Sequence, residues 1–216
     1  MKLRKSEIIS LVIVIISLII GIYFYPLMPE QVASHWNIEG EVDGYMPKFW
    51  GLFLMPIISA VLLFLFIIIP KIDPLKHNIE KFRKYFDGFI VLMMVFLFYL
   101  YILTILWNME IRFVFTQFLV PIFSILFYYC GILIQNAKRN WFIGIRTPWT
   151  LSNEEVWNKT HKIGGKLFKI AAIISLIGVF SSKYAFFFCI IPVILASLFP
   201  IFYSYFEYQK LTKNLK

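Results

Sequence analysis

The chain has 216 residues, of which 60% are hydrophobic, 19% aromatic and 15% charged, and its mean hydropathy is +0.78. Soluble domains carry about 45–50% apolar and about 25% charged residues, so a soluble globular enzyme is excluded, and so is a disordered chain, which would be polar and poor in aromatics. A net charge of +9 would suggest nucleic acid in a soluble protein. In a chain this apolar it marks basic loops held on the inner side of a bilayer, and no direct nucleic-acid partner is expected.

Six apolar stretches follow in chain order: Ile8–Tyr25, Gly51–Ile69, Phe89–Trp107, Phe113–Gln135, Ile170–Ser182 and Tyr184–Phe206. Most reach the roughly 20 residues that cross a bilayer. The fifth is short and must borrow Lys166–Lys169, whose side chains can snorkel. No period-2 alternation speaks for a barrel. The sequence therefore predicts an all-α polytopic membrane bundle of six transmembrane helices. Counted by loop, basic residues on alternating sides number 18 against 3, which predicts N-in and C-in termini in the cytoplasm of a multi-pass cell-membrane protein. Lys2, Arg4 and Lys5 before an apolar run resemble a signal peptide, but Tyr25-Pro26-Leu27 is a poor cleavage site and an uncleaved first span is expected. Cys130 and Cys189 fall at different depths of their helices, so two free thiols are expected.

The first outer loop holds Glu30, Glu39, Glu41 and Asp43 against Lys48. Gly40 and Asp43-Gly44 are turn signals. His35 with these carboxylates is a weak metal pattern lacking a paired His or Cys. The expected form is a folded acidic cap with Trp36 and Tyr45 at the interface, able to attract a cationic peptide. Pro56, Pro121 and Pro192 recur near the outer ends of the second, fourth and sixth spans. They suggest three related hairpins with kinks opening an outward funnel. The spans hold almost no ionisable residue at depth, which counts against an ion-coupled transporter.

The inner loop after the fourth span is the most informative stretch. Ser152 followed by Glu155 reads as a capping box that starts a short amphipathic inner-surface helix, and Gly164-Gly165 reads as its end. Val156, Trp157, Thr160 and Ile163 share one face of it. Arg146 and Trp149 could clamp an anion, and Trp149 and Trp157 are expected as interface anchors. Asn158-Lys159-Thr160 is a glycosylation sequon that would go unmodified inside. Along the fifth span Ala171, Ser175 and Val179, with Ala172 and Gly178 beside them, predict a close packing face. No nucleophile elbow, phosphate loop or zinc motif is present, so neither an enzyme nor a cofactor is expected. The chain divides into an N-terminal hairpin with its acidic loop (1–70), a basic inner loop with the third span (71–112) and a C-terminal region (113–216).

The run Gly144-Ile-Arg-Thr-Pro-Trp-Thr-Leu151, with Val156-Trp157, Thr160-His161 and Gly164-Gly165, resembles the signature of the SdpI family, the immunity proteins of the sporulation-delaying-protein toxin system. The segment from Pro29 through His35-Trp36-Asn37, Gly40 and Asp43-Gly44 is similar to the domain of unknown function that accompanies it. The resemblance implies a multi-pass protein that protects a cell from a secreted toxic peptide and transduces its signal, holding a transcriptional repressor at the membrane. It marks Arg146, Thr147, Pro148, Trp149, Trp157 and His161 inside, and His35, Asn37 and Asp43 outside, as partner-binding positions. The partners it implies are the lipid bilayer, a cationic peptide outside and a repressor inside. A solute or peptide transporter and a structural membrane protein are the alternatives.

Overall fold

The structure, a computed structural model, describes residues 3–181 and 184–213. Lys2, Ser182, Lys183 and Lys216, used above for the spans and the charge count, lie outside the described residues. The elements are α1 (Lys5–Phe24), β1 (Gln31–Trp36), β2 (Val42–Pro47), α2 (Lys48–Ile72), α3 (Lys76–Lys81), α4 (Arg83–Asn108), α5 (Phe115–Asn136), α6 (Pro148–Ser152), α7 (Glu154–Ile177) and α8 (Ala185–Lys213). Six of them, α1, α2, α4, α5, α7 and α8, are long and apolar enough to cross a membrane, and the chain is a multi-pass helical bundle.

The helices are built inside-out. The buried residues of α1 are Glu7, Ser10, Val14, Ser17 and Gly21, at alternating three- and four-residue steps. Most of its isoleucines and leucines face outward, with Ile13 and Ile20 half-buried against the core. With lipid as apolar as leucine, nothing drives large side chains inward, and small residues let helices approach. Gly21 shows this: a Cβ there would lie 2.9 Å from the Tyr101 hydroxyl and 3.4 Å from the Leu52 carbonyl.

Two three-helix groups result. In the first, α1 packs on α2 and α4, and α2 packs on α4. In the second, α5, α7 and α8 pack on one another. The groups meet where α4 lies against α5. In the second group α5 and α7 nearly touch through backbone. A Cβ on Gly165 would lie 2.5 Å from the Gly131 carbonyl oxygen, and one on Gly131 would lie 2.6 Å from that of Gly165. Gly164-Gly165 therefore does not end a helix. The expected short surface helix and the fifth span are one continuous α7, which also explains how a span that looked short reaches full length.

The predicted packing face of this span is present. Ala171, Ala172, Ser175 and Gly178 are buried, with Val179 half-buried. Ser175 Oγ donates to the Ala171 carbonyl at 2.8 Å. Ser175→Leu must force α7 and α8 apart, and its melting temperature in detergent should fall well below that of the wild type; an unchanged value would refute close packing there.

At the end where α1 and α4 begin, a largely buried ion cluster ties the two helices together. Arg83 Nη2 lies 3.1 Å from Glu7 Oε1, with both side chains 6% exposed. Arg83 Nε lies 2.7 Å from Asp87 Oδ1, and Arg4 Nε 2.9 Å from Asp87 Oδ2. Across the same end, Glu207 of α8 pairs with Lys159 of α7 at 3.2 Å and with Lys210 at 3.0 Å. Cys130 and Cys189 are free thiols.

Candidate functional site

The acidic loop is not helical or irregular but an antiparallel hairpin of β1 and β2, the one departure among the described residues from an all-α chain. Its tight turn is made by Asn37 rather than by Asp43-Gly44. Asn37 Oδ1 accepts from the Glu41 amide at 2.9 Å, the Gly40 amide donates to the Asn37 carbonyl at 3.0 Å, and Gly40 has φ +83°. Asp43-Gly44 sits within β2, where Gly44 faces His35. His35 Nδ1 and Asp43 Oδ1 are 2.5 Å apart across the strands. Asn37 therefore shapes the turn, while the His35–Asp43 pair is exposed.

The hairpin is fixed on the helices by two contacts. The Asn108 side-chain amide imitates a neighbouring strand: Oδ1 accepts from the Ala33 amide at 2.8 Å and Nδ2 donates to the Ala33 carbonyl at 3.0 Å. Trp36 stacks on Phe115 of α5 at 3.9 Å and meets Trp107 of α4 edge-on. Trp36 is thus a docking residue between the two helix groups, whereas Tyr45 is exposed. Beneath the hairpin lies a cavity of about 490 Å³ lined by Ser34 to Ile38, Met55, Thr104, Phe115, Thr116 and Phe186. Trp36 Nε1 and Thr116 Oγ1 are buried without a hydrogen-bond partner.

At the opposite end, residues 137–152 form a rigid cap. Asn140 is fully buried and uses its whole amide: Nδ2 donates to the Lys138 and Ile143 carbonyls, both at 2.8 Å, and Oδ1 accepts from the Phe142 and Ile143 amides at 2.9 and 2.6 Å. Asp73, after α2, receives the Trp141 amide at 2.8 Å and the Leu75 amide at 2.6 Å. The signature turn is then bolted to α7. His161 Nδ1 lies 2.8 Å from the Trp157 carbonyl, which can only accept, and Nε2 lies 3.0 Å from the Ile145 amide, which can only donate. These partners fix a neutral ring with its proton on Nδ1. Gly144, at φ +116°, leaves no room for a Cβ against that same ring. Trp157 stacks on His161 at 3.9 Å and donates Nε1–H to the Ala137 carbonyl at 2.8 Å. Fully buried, Trp157 is a core residue rather than an interface anchor.

The helix cap differs from the Ser152–Glu155 expectation. Thr147 caps α6 through a reciprocal box with Thr150, and Asn153 caps α7 through the Glu155 and Val156 amides. Ser152 Oγ donates to the Trp149 carbonyl at 3.1 Å. Pro148, at the first position of α6, suits that start because it has no amide to satisfy. Thr147 Oγ1 is also 3.0 Å from Ser204 Oγ, joining the cap to α8, and Trp149 meets Tyr205 edge-on.

Arg146 is exposed and donates to the Trp141 carbonyl at 2.8 Å. It lines, with Thr147, Pro148 and Trp149, a second cavity of about 730 Å³ whose walls come from α2, α4, α5, α7 and α8. Both cavities thus lie in the seam between the two helix groups, one under each signature segment. The sequence-predicted residues divide accordingly. Arg146, Thr147, Pro148 and Trp149 border the inner cavity and His35 and Asn37 the outer one; Trp157 and His161 support the inner turn from behind. Asp73, Asn140, Thr150 and Ser204, which hold the cap in place, carried no local sequence signal because each acts through distant backbone or helix contacts. No cluster able to hold a metal ion occurs among the described residues.

Residues 136–204 match the family model described as the SdpI/YfhL protein family, and residues 12–60 match a domain of unknown function, DUF1648. Over 96% of this chain and 98% of the relative, the sequence is 26% identical to the "Immunity protein SdpI" of Bacillus subtilis (strain 168). No solved structure matches. The DUF1648 match thus covers most of α1, the β-cap and the first half of α2, and the SdpI/YfhL match covers the inner cap, α7 and most of α8, in a chain similar along nearly its whole length to an immunity protein.

Proposed function

We propose that this chain is a cell-membrane immunity protein, with both termini and the inner cap in the cytoplasm, that protects against a secreted cationic membrane-active peptide. The observation that carries the reading is the shared seam: both signature segments border cavities between the same two helix groups. The outer cavity offers aromatic walls, two unpartnered polar atoms and an acidic hairpin, which suit a peptide bearing cationic side chains and free carbonyls. The inner cap offers Arg146 and Trp149 to a cytoplasmic partner. A repressor held there would learn of the peptide through a change in how the helix groups meet, a shift both ends of the seam would feel.

The test is survival of a toxin-sensitive bacterium expressing the chain during exposure to the sporulation-delaying peptide, with membrane abundance measured by blot. Wild type should protect. Arg146→Ala should lose protection or signalling at normal abundance, because a truncated side chain has no donor fork. Arg146→Lys should recover little, since a point charge does not replace a planar fork. Full activity of both variants at equal abundance removes the inner cap from the function, and failure of the wild type to protect rejects the immunity reading itself.

A further inference from the structure

The geometry points to a lipid site in the inner cavity: one acyl chain of an anionic phospholipid lies in the seam, with its phosphate on Arg146. Three observations define the space. The cavity, at about 730 Å³, falls within the roughly 300–1,000 Å³ of small-molecule sites. At about 30 Å³ for a group the size of a water molecule, it holds on the order of twenty methylenes. Its walls are largely apolar, with Phe66 from α2, Phe86 and Phe89 from α4 and Phe168 from α7. Beyond the cap residues, its walls belong to helices long and apolar enough to cross a membrane, which brings lipid chains within reach of this space.

The charge selects the headgroup. Among the described residues no carboxylate pairs with Arg146; its one hydrogen bond goes to the Trp141 carbonyl, so the rest of the fork is uncommitted. A guanidinium at the rim of an apolar space in a membrane is satisfied by phosphate, which it binds through two parallel N–H donors. The site is also preorganised. Asn140 rigidifies the turn before Arg146, the Thr147–Thr150 box fixes the turn after it, and His161 holds Ile145. Basic pockets between transmembrane helices bind anionic headgroups by this combination. The inference concerns the cavity's own ligand and does not rest on the immunity reading, since it requires neither toxin nor repressor.

Native mass spectrometry of the detergent-purified full chain, titrated with phosphatidylglycerol, phosphatidylcholine or glycerol phosphate, tests it. Phosphatidylglycerol should bind about tenfold tighter than phosphatidylcholine, which offers the same phosphate but brings its trimethylammonium charge up against the Arg146 guanidinium, and glycerol phosphate should not bind measurably. Arg146→Gln should erase the preference between the two lipids. Ser197 lies on the cavity wall and is exposed, so Ser197→Trp should fill the space and weaken both lipids while the circular dichroism spectrum and elution volume stay as in the wild type. Equal affinity for both lipids in the wild type, glycerol phosphate binding as tightly as the whole lipid, or a Ser197→Trp variant that is folded and binds like wild type would each overturn the proposal.

Discussion

Gly165→Leu should abolish the folded bundle. A Cβ at this position meets the Gly131 carbonyl oxygen at 2.5 Å and runs into the Gln135 side chain. Gln135 can move, but the α5 backbone cannot, so the whole of α7 has to retreat. Overpacking in a core costs about 1–3 kcal/mol when side chains can adjust, and the Gly165→Ala variant should fall in that range. Leucine adds a full side chain at a backbone contact and should leave little monodisperse protein on size exclusion after detergent extraction. Ile173→Leu, on an exposed apolar face of the same helix, is the matched control and should extract as wild type. A Gly165→Leu protein as stable as that control would show that α5 and α7 are not in backbone contact.

The second large effect concerns the buried ions. Arg83→Met removes the cation between Glu7 and Asp87 and leaves Glu7, 6% exposed, without its partner. Breaking a buried pair from one side costs about 3–5 kcal/mol, whereas replacing both members with neutral groups costs far less. Arg83→Met should therefore lower the melting temperature sharply, and adding Glu7→Gln should restore part of the loss. If the double variant is no more stable than the single one, Glu7 is not the group left uncompensated.

How much of this was legible in the chain depends on the range of the forces involved. Every span but the fifth announces itself because about twenty apolar residues in a row answer to the bilayer alone. The packing face around Ser175 was legible for the same reason: small residues at helical spacing have few other uses in a membrane. The Gly164-Gly165 pair misled, because glycine is both a helix terminator and a contact residue, and only the approach of Gly131 from another helix decides between them. Ser152–Glu155 misled in a similar way. Thr147 and Asn153 were equally good caps, and the register was set by Thr147 reaching Ser204 and His161 reaching Ile145. The hairpin left no alternation to read, as its short strands carry a bulge and are anchored by the Asn108 amide, seventy-five positions away from Ala33. In the candidate site, Arg146 and Trp149 stood out as polar and aromatic groups beside a proline, while Asn140 and Asp73 act only on backbone groups whose positions the fold supplies.

The two helix groups have one more property: each is contiguous in the chain, α1 to α4 within residues 5–108 and α5 to α8 within 115–213. Among the described residues they meet through α4 against α5, through Trp36 on Phe115, through the hydrogen bond Asp73 accepts from the Trp141 amide and the one Asn78 donates to the Arg139 carbonyl, and through side chains across the seam. A genetic crossover within the short turn at 109–114 would therefore exchange one half for another without cutting any helix, and the ribosome completes the first half before the second begins. The chain can diversify its outer cap and its inner cap as separate inheritances, under the requirement that the α4 and α5 faces, the Trp36–Phe115 stack and the Asp73 and Asn78 bonds still fit.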